Sequence, residues 1–366
     1  MKPAYYIGIM SGTSLDGVDA VLADFSESSP QLLKSHFLPY DASMRSQLLA
    51  LHQIGNDELH RAAMMSNTLS VLYANAVNDL LKMSGLVSKD VIAVGCHGQT
   101  IRHCPEVERS YTIQLVNAAL LAELTAIAVV ADFRSRDIAA GGQGAPLVPA
   151  FHQAIFMRPE CSRVILNIGG ISNITCLEPS KAVVGFDCGP GNLLMDAWCL
   201  RHTARSYDQD GEWASSGEMI PDLLEKLLAH PFFSLSAPKS TGRDLFNMTW
   251  LDQYLAGDEK PENVQATLLQ LTVQTIADSI LVHCPNAEEI YVCGGGAHNG
   301  LLMSRLSEAL PEKSIGLTDQ LGVDADWVEA YAFAWLAQQT IMGVPSNLPV
   351  VTGAKGDRVL GAIYPA

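Results

Sequence analysis

Positive charge is scarce in this chain. Its 366 residues hold 23 Lys and Arg against 39 Asp and Glu, a formal net charge of −16. A surface of that sign repels nucleic acid and anionic membrane, so neither is expected as a partner. Long apolar runs are missing too, since none approaches the roughly 20 residues a membrane span needs. Met1-Lys2-Pro3-Ala4 leads straight into an apolar strand pattern and carries no secretory-signal character. The eight cysteines (Cys96, Cys104, Cys161, Cys176, Cys188, Cys199, Cys284 and Cys293) form no C-x-x-C pair and no zinc-like cluster with histidine. Several lie inside apolar strand or helix patterns, where a free cysteine acts as a small hydrophobe, and a reduced cytoplasm is the expected location. Neither G-x-G-x-x-G opening a helix behind a strand nor G-x-x-x-x-G-K-[ST] occurs. A nucleotide, if bound, is therefore expected in a different architecture from those two. Low-complexity segments and short-period repeats are also absent.

What is present describes a folded, well-buried protein: 48% apolar and 17% charged residues. The length suits two packed domains, because single cores stop growing near roughly 250–300 residues. Three strand-to-glycine junctions stand out. In the first, the apolar run ending at Ile9-Met10 breaks into Ser11-Gly12-Thr13-Ser14-Leu15-Asp16-Gly17-Val18-Asp19. Asp16-Gly17 between two strand-like runs signals a hairpin, as both residues tolerate the positive φ of a tight turn. Gly12 leaves room for backbone N–H groups, and Thr13 and Ser14 add hydroxyls, a donor set suited to phosphate oxygens. The second junction, residues 164–174, reads Val-Ile-Leu-Asn-Ile-Gly-Gly-Ile-Ser-Asn-Ile, with Gly169, Gly170, Ser172 and Asn173 in the equivalent places. The third runs from Glu289 through Cys293 into Gly294, Gly295 and Gly296. One such turn fits an ordinary surface hairpin equally well. Three suggest two clamps on a polyphosphate and a bare backbone face for a nucleoside.

Strand and helix patterns alternate between these junctions. Spacings of three and four predict helices over 60–84, 115–125, 265–284 and 327–340, and Val91–Val94 and Ala126–Ala131 read as buried strands. The polar candidates gather where strands end. Asp187 follows the apolar Val183-Val184 and is flanked by Gly185, Gly189 and Gly191, so a substrate could approach it as a general base requires. Its alternative role is to cap the helix from Leu193, although Asn192 is better placed for that. His97 and Gln99 beside Gly98 could hydrogen-bond a polar ligand or be structural. Asp132, Arg134, Arg136 and Asp137 fit a structural ion-pair network as well as a carboxylate clamp. Glu329, alone on an apolar helix, is expected to be paired or functional. Asp208-Gln209-Asp210-Gly211 and Pro238-Lys239-Ser240-Thr241-Gly242-Arg243 read as ordinary polar loops.

Gly8–Asp19 resembles the signature of the anhydro-N-acetylmuramic acid kinases. Further blocks of that family match in order: Gly98–His103, Asp132-Phe133-Arg134, Gly141–Pro149, Asn167–Asn173, Phe186–Asn192 and Cys293–Gly296. The resemblance covers essentially the whole chain. It implies an α/β protein of the actin, hexokinase and heat-shock chaperone ATPase superfamily, with two ribonuclease-H-like lobes and ATP in the cleft between them. The lobes are expected at 1–131 plus 351–366 and at 132–350. Gly12–Asp19 and Gly169–Asn173 become the phosphate hairpins and Gly294–Gly296 the adenosine element. ATP and Mg²⁺ are the implied cofactors. Where the wider superfamily places an Asp in the first hairpin this chain has Met10, so no protein ligand to the metal is assigned and phosphates with water are expected to hold it.

The reaction implied by the resemblance opens the 1,6-anhydro ring of the sugar with water and phosphorylates O6 from ATP, giving N-acetylmuramic acid 6-phosphate in peptidoglycan recycling. Asp187 would be the base, with His97, Gln99, Arg134 and Glu329 at the sugar, and the family implies a homodimer. Two other classes fit the same superfamily: an ATPase that drives conformational change without a small acceptor, and a kinase acting on an ordinary sugar hydroxyl.

Overall fold

The computed structural model describes residues 3–27, 30–105 and 107–366. Its strands are β1 (Tyr5–Ser11), β2 (Gly17–Asp24), β3 (Gln31–Pro39), β4 (Val91–Cys104), β5 (Tyr111–Leu115), β6 (Val129–Ala131), β7 (Arg163–Ile168), β8 (Ile171–Leu177), β9 (Val184–Pro190), β10 (Glu289–Cys293), β11 (Ser314–Leu317) and β12 (Ala362–Tyr364). They form two sheets in two compact units, Met1–Ile155 with Trp327–Ala366, and Phe156–Asp326.

The two sheets repeat one topology. In the first unit the order is β3-β2-β1-β4-β6, with β12 beyond β6 and β5 on β4; in the second it is β9-β8-β7-β10-β11. In each, the second strand (β2, β8) is antiparallel to both neighbours, while β1, β4 and β6 run parallel in the first sheet and β7, β10 and β11 in the second. This is the ribonuclease-H-like sheet twice over, as expected. The hairpins differ at their tips: five residues, 12–16, join β1 to β2, whereas Gly169-Gly170 alone join β7 to β8.

The core of the first unit lies between its sheet and the helix Glu58–Ser84, which buries Leu69, Tyr73, Val77 and Leu80 against Ile7 and Ile9. Gly85, at φ 69°, ends that helix with its N–H on the Leu81 and Lys82 carbonyls, a left-handed cap that glycine adopts without a Cβ penalty. On the other side the apolar helix Val328–Ile341 lies directly on β1 and β4. A Cβ at Gly8 would collide with the Ala330 carbonyl, and one at Gly95 with that of Phe333. Bare backbone on the sheet and alanines on the helix thus allow a very close approach. That contact places residues 327–350 with the first unit, where 132–155 also cluster, whereas both stretches were expected in the second. In the second unit the helix Pro261–His283 covers the sheet, and its Thr272 hydroxyl donates to the Pro190 and Gly191 carbonyls at 3.1 and 3.0 Å.

Cys176 on β8 and Cys284 behind that helix are joined as a disulfide at a sequence separation of 108. The sequence reading of a reduced protein with no C-x-x-C pair did not anticipate this, since the packing of the helix Pro261–His283 on β8 brings the two together and spacing does not signal it. Among the described residues no helix is long and apolar enough to cross a membrane.

Candidate active site

The first glycine hairpin is built differently from the expected Asp-Gly turn. The left-handed residue is the buried Leu15, at φ 59°, whose N–H reaches the Gly12 carbonyl at 3.3 Å. Asp16 instead accepts from the Ser14 hydroxyl at 2.7 Å and the Gly17 N–H at 3.0 Å. Gly17 already belongs to β2, and a Cβ there would strike the Leu38 carbonyl and the Phe37 ring. Gly12 differs, because an added Cβ would meet nothing closer than the Ser14 Oγ at 3.5 Å. Packing by the protein itself therefore does not account for its lack of a side chain.

Behind this tip sits Gln99, fully buried. Its Nε2 donates to the Gly12 carbonyl at 3.0 Å, and its Oε1 accepts from the Tyr40 hydroxyl at 3.3 Å. Burial pushes the Tyr40 phenol up to about 12, so it stays a neutral donor. Gln99 thus braces the hairpin, and its amide is engaged by protein rather than presented to a sugar. His97 is buried as well and accepts at Nε2 from Arg134 Nε at 3.0 Å. Burial, and then the Arg134 charge, hold this imidazole well below its usual range. It is therefore neutral, and since a guanidinium only donates, the ring proton sits on Nδ1.

Arg134 also donates through Nη1 to the Gly144 carbonyl at 2.7 Å. The Gly141–Pro146 segment that supplies this carbonyl is held by the fully buried Asp137. Its carboxylate accepts from the Gly144 N–H, Asn347 Nδ2 and Thr352 Oγ1, each at 2.8 Å. The cluster at the strand exit is thus built around a hub of neutral donors on Asp137, with Arg134 held by His97 and Gly144. Glu329, in the first turn of the helix on β1, is half-buried. Burial raises its carboxyl pKa and Asp16 adds to the rise, while the Arg134 charge opposes it. The first unit therefore gathers Gly12, His97, Arg134 and Glu329, with Gln99 behind them.

In the second unit the Gly169-Gly170 turn is tied to the chain just past Asp187. Gly191 and Leu193 donate to the Gly170 carbonyl at 2.9 and 3.1 Å, and Asn192 to the Gly169 carbonyl at 2.8 Å. The Ser172 hydroxyl donates to the Gly189 carbonyl at 3.2 Å. Asn192 does not cap the next helix with its side chain, because its Nδ2 turns to the Ile168 carbonyl at 3.3 Å. At Gly170 an added Cβ would find only Leu193, 3.9 Å away. Asp187, midway along β9 and half-buried, accepts at Oδ2 from the Thr241 N–H at 2.9 Å. The segment 238–243, taken as a plain polar loop, thus cradles the candidate base. A carboxylate three places beyond a run of β-branched residues was legible in sequence, but its cradle from 54 positions away was not. The other polar loop is structural: buried Asp208 accepts from the Trp213 and Ala214 N–H groups at 2.8 and 2.9 Å.

The triple glycine divides by role. A Cβ at Gly294 would collide with Asn167 Oδ1, and one at Gly296 with the Ile168 side chain. Those two glycines let this turn close on β7. Gly295 alone has room, its nearest neighbour being Asn192 Nδ2 at 3.8 Å. The described residues contain no group of three or more His, Cys, Asp or Glu that could hold a metal.

The sequence profile of the family "Anhydro-N-acetylmuramic acid kinase" matches residues 4–366. The chain belongs to this family. A kinase of that name from Nitrosospira multiformis is 64% identical over 366 residues, covering 100% of both chains. Another, from Nitrosomonas europaea, is 63% identical over 99% of this chain and 100% of that one. A third, from Thiobacillus denitrificans, is 54% identical over 99% and 97%.

Proposed function

We propose that this protein phosphorylates anhydro-N-acetylmuramic acid at O6 with ATP while opening its 1,6-anhydro ring with water. The observation that carries the reading is the match at 52–64% identity to kinases of that name along the entire chain. The glycine hairpins support the ATP half. Gly12 and Gly170 each lack a side chain where the protein itself would tolerate one, and backbone N–H groups at such tips suit phosphate oxygens.

Asp187 supports the other half. Its carboxylate, held by Thr241, takes a proton from water as the water oxygen bonds to C1 of the sugar. The C1–O6 bond breaks, and O6 takes the electron pair and attacks the γ-phosphorus of ATP. The bond from that phosphorus to the bridging oxygen breaks and ADP leaves. One carboxylate thereby serves hydrolysis and phosphoryl transfer in a single sequence, with backbone donors stabilising the transferring group. Arg134, fixed by His97 and Gly144, faces the lactyl carboxylate in this reading, and Glu329 lies at the sugar beside it. A homodimer in the cytoplasm belongs to the same reading, and light scattering of the purified chain tests the stoichiometry.

Turnover in ¹⁸O-water tests the reaction itself: label is expected at C1 of the product, and a kinase using an ordinary hydroxyl places none there. Asp187→Asn is expected to lower kcat by roughly 10²–10⁴ with ATP affinity near normal. A loss below about tenfold assigns the base elsewhere.

A further inference from the structure

The loop around Asp187 is pinned by a lysine that has almost no water to face. The Lys239 carbonyl accepts the Asp187 main-chain N–H at 3.1 Å, and two residues on, the Thr241 N–H reaches Asp187 Oδ2 at 2.9 Å. The Lys239 side chain is only 6% exposed. Its Nζ donates to the Phe232 and Phe233 carbonyls at 3.3 and 3.4 Å, and lies 4.8 and 5.6 Å from the ring centroids of Phe232 and Phe186. A buried ammonium is costly unless carbonyls and aromatic faces replace its water, and here both do. Phe186 immediately precedes Asp187 on β9. The same charge therefore grips the strand that carries the carboxylate and, through its own backbone, the loop that orients it.

Resting on the reading of Asp187 as the base, we propose that Lys239 is a positioning residue for ring opening: it fixes the 238–243 loop so that the Thr241 N–H holds one carboxylate oxygen, keeping Asp187 ionised and oriented toward the water. The groups facing the ammonium are Asp187, Cys188, His283 and, along the same cavity of about 370 Å³, Asp278. Burial pushes the Cys188 thiol up to about 12 and lowers His283, which Lys239 lowers further, so neither brings a charge near neutral pH. Burial also lowers the pKa of Lys239, and Cys188 and Asp187 oppose that change.

Lys239→Met keeps the length of the side chain and removes its charge and donors. The full chain carrying it is expected to lose at least about tenfold in kcat with KM for ATP within about twofold, and its acidic limb of kcat against pH moves up by about one unit, because a carboxylate that loses a hydrogen bond protonates more readily. His283→Gln, run as a control for the neighbouring imidazole, leaves that limb in place. A folded Lys239→Met with wild-type kcat overturns the proposal, and so does a lower kcat with an unmoved limb, which marks a structural role alone. Should Lys239→Met fail to fold by thermal melting, Thr241→Pro deletes the donor itself and reads the same limb: an upward shift supports the proposal and a wild-type limb overturns it. Asp187→Asn separates the two layers. Turnover surviving in Asp187→Asn removes the base assignment, whereas its loss beside an unaltered Lys239→Met removes only the role of the lysine.

Discussion

At the scale of single residues, chemistry was easier to read than commitment. Arg134 is a guanidinium at a strand end, as its sequence position implies. The structure adds that Nε is engaged by His97 and Nη1 by Gly144. A lysine has one nitrogen and cannot hold both partners while meeting a third group. Arg134→Lys is therefore expected to raise KM for the anhydro sugar more than about tenfold, the scale of roughly 1.5–3 kcal/mol for a charged hydrogen bond, with KM for ATP nearly unchanged. Steady-state kinetics with each substrate varied in turn checks this. Wild-type constants for both would leave Arg134 as a structural residue of the strand exit. Gln99 shows the converse limit. Its amide suits a sugar as well as a peptide, and only burial against Gly12 and Tyr40 shows which it serves.

Elements bring a sharper contrast, because glycines that look alike in sequence do different work. Gly8 and Gly95 admit the helix Val328–Ile341, Gly17 admits β3, and Gly294 and Gly296 admit β7, whereas Gly12 and Gly170 stand at open tips. Gly12→Val and Gly170→Val should consequently fold and melt like wild type, yet weaken ATP at least about tenfold while sparing the sugar, since a side chain there displaces phosphate from backbone N–H groups. Calorimetry with each ligand alone decides. Weaker sugar binding with intact ATP binding would take the nucleotide away from these hairpins.

For the whole molecule, acid is the informative perturbation. His152 is buried in the first unit, and burial drops its pKa to about 3; His97 is lowered too, by burial and by Arg134. Unfolded histidines protonate near 6.5, while these stay neutral in the fold. Their stabilising contribution is therefore complete above about pH 6.5 and declines as pH falls toward the folded value near 3 for His152. For His152 the loss at pH 5 relative to pH 7.5 is about 2 kcal/mol. Urea unfolding at the two pH values should show the loss, and His152→Gln should reduce it by about 2 kcal/mol. An equal pH dependence in wild type and His152→Gln would place the acid sensitivity elsewhere.

Much was determined by the sequence itself. Periodicity located the helices Glu58–Ser84, Pro261–His283 and Val328–Ile341 to within a few residues, because burying one face of a helix imposes spacings of three and four. The repeated strand-to-glycine junctions exposed the two matching units, since each hairpin is local in the chain. Tertiary structure decided what depends on distant partners. It put Leu15 rather than Asp16 in the left-handed turn, took Val328–Ile341 into the first unit through Gly8 and Gly95, and paired Cys176 with Cys284. Above all it turned 238–243 from a polar loop into the cradle of Asp187. A backbone N–H has no signature in sequence, for every residue except proline carries one, and only the fold determines which of them meets the carboxylate.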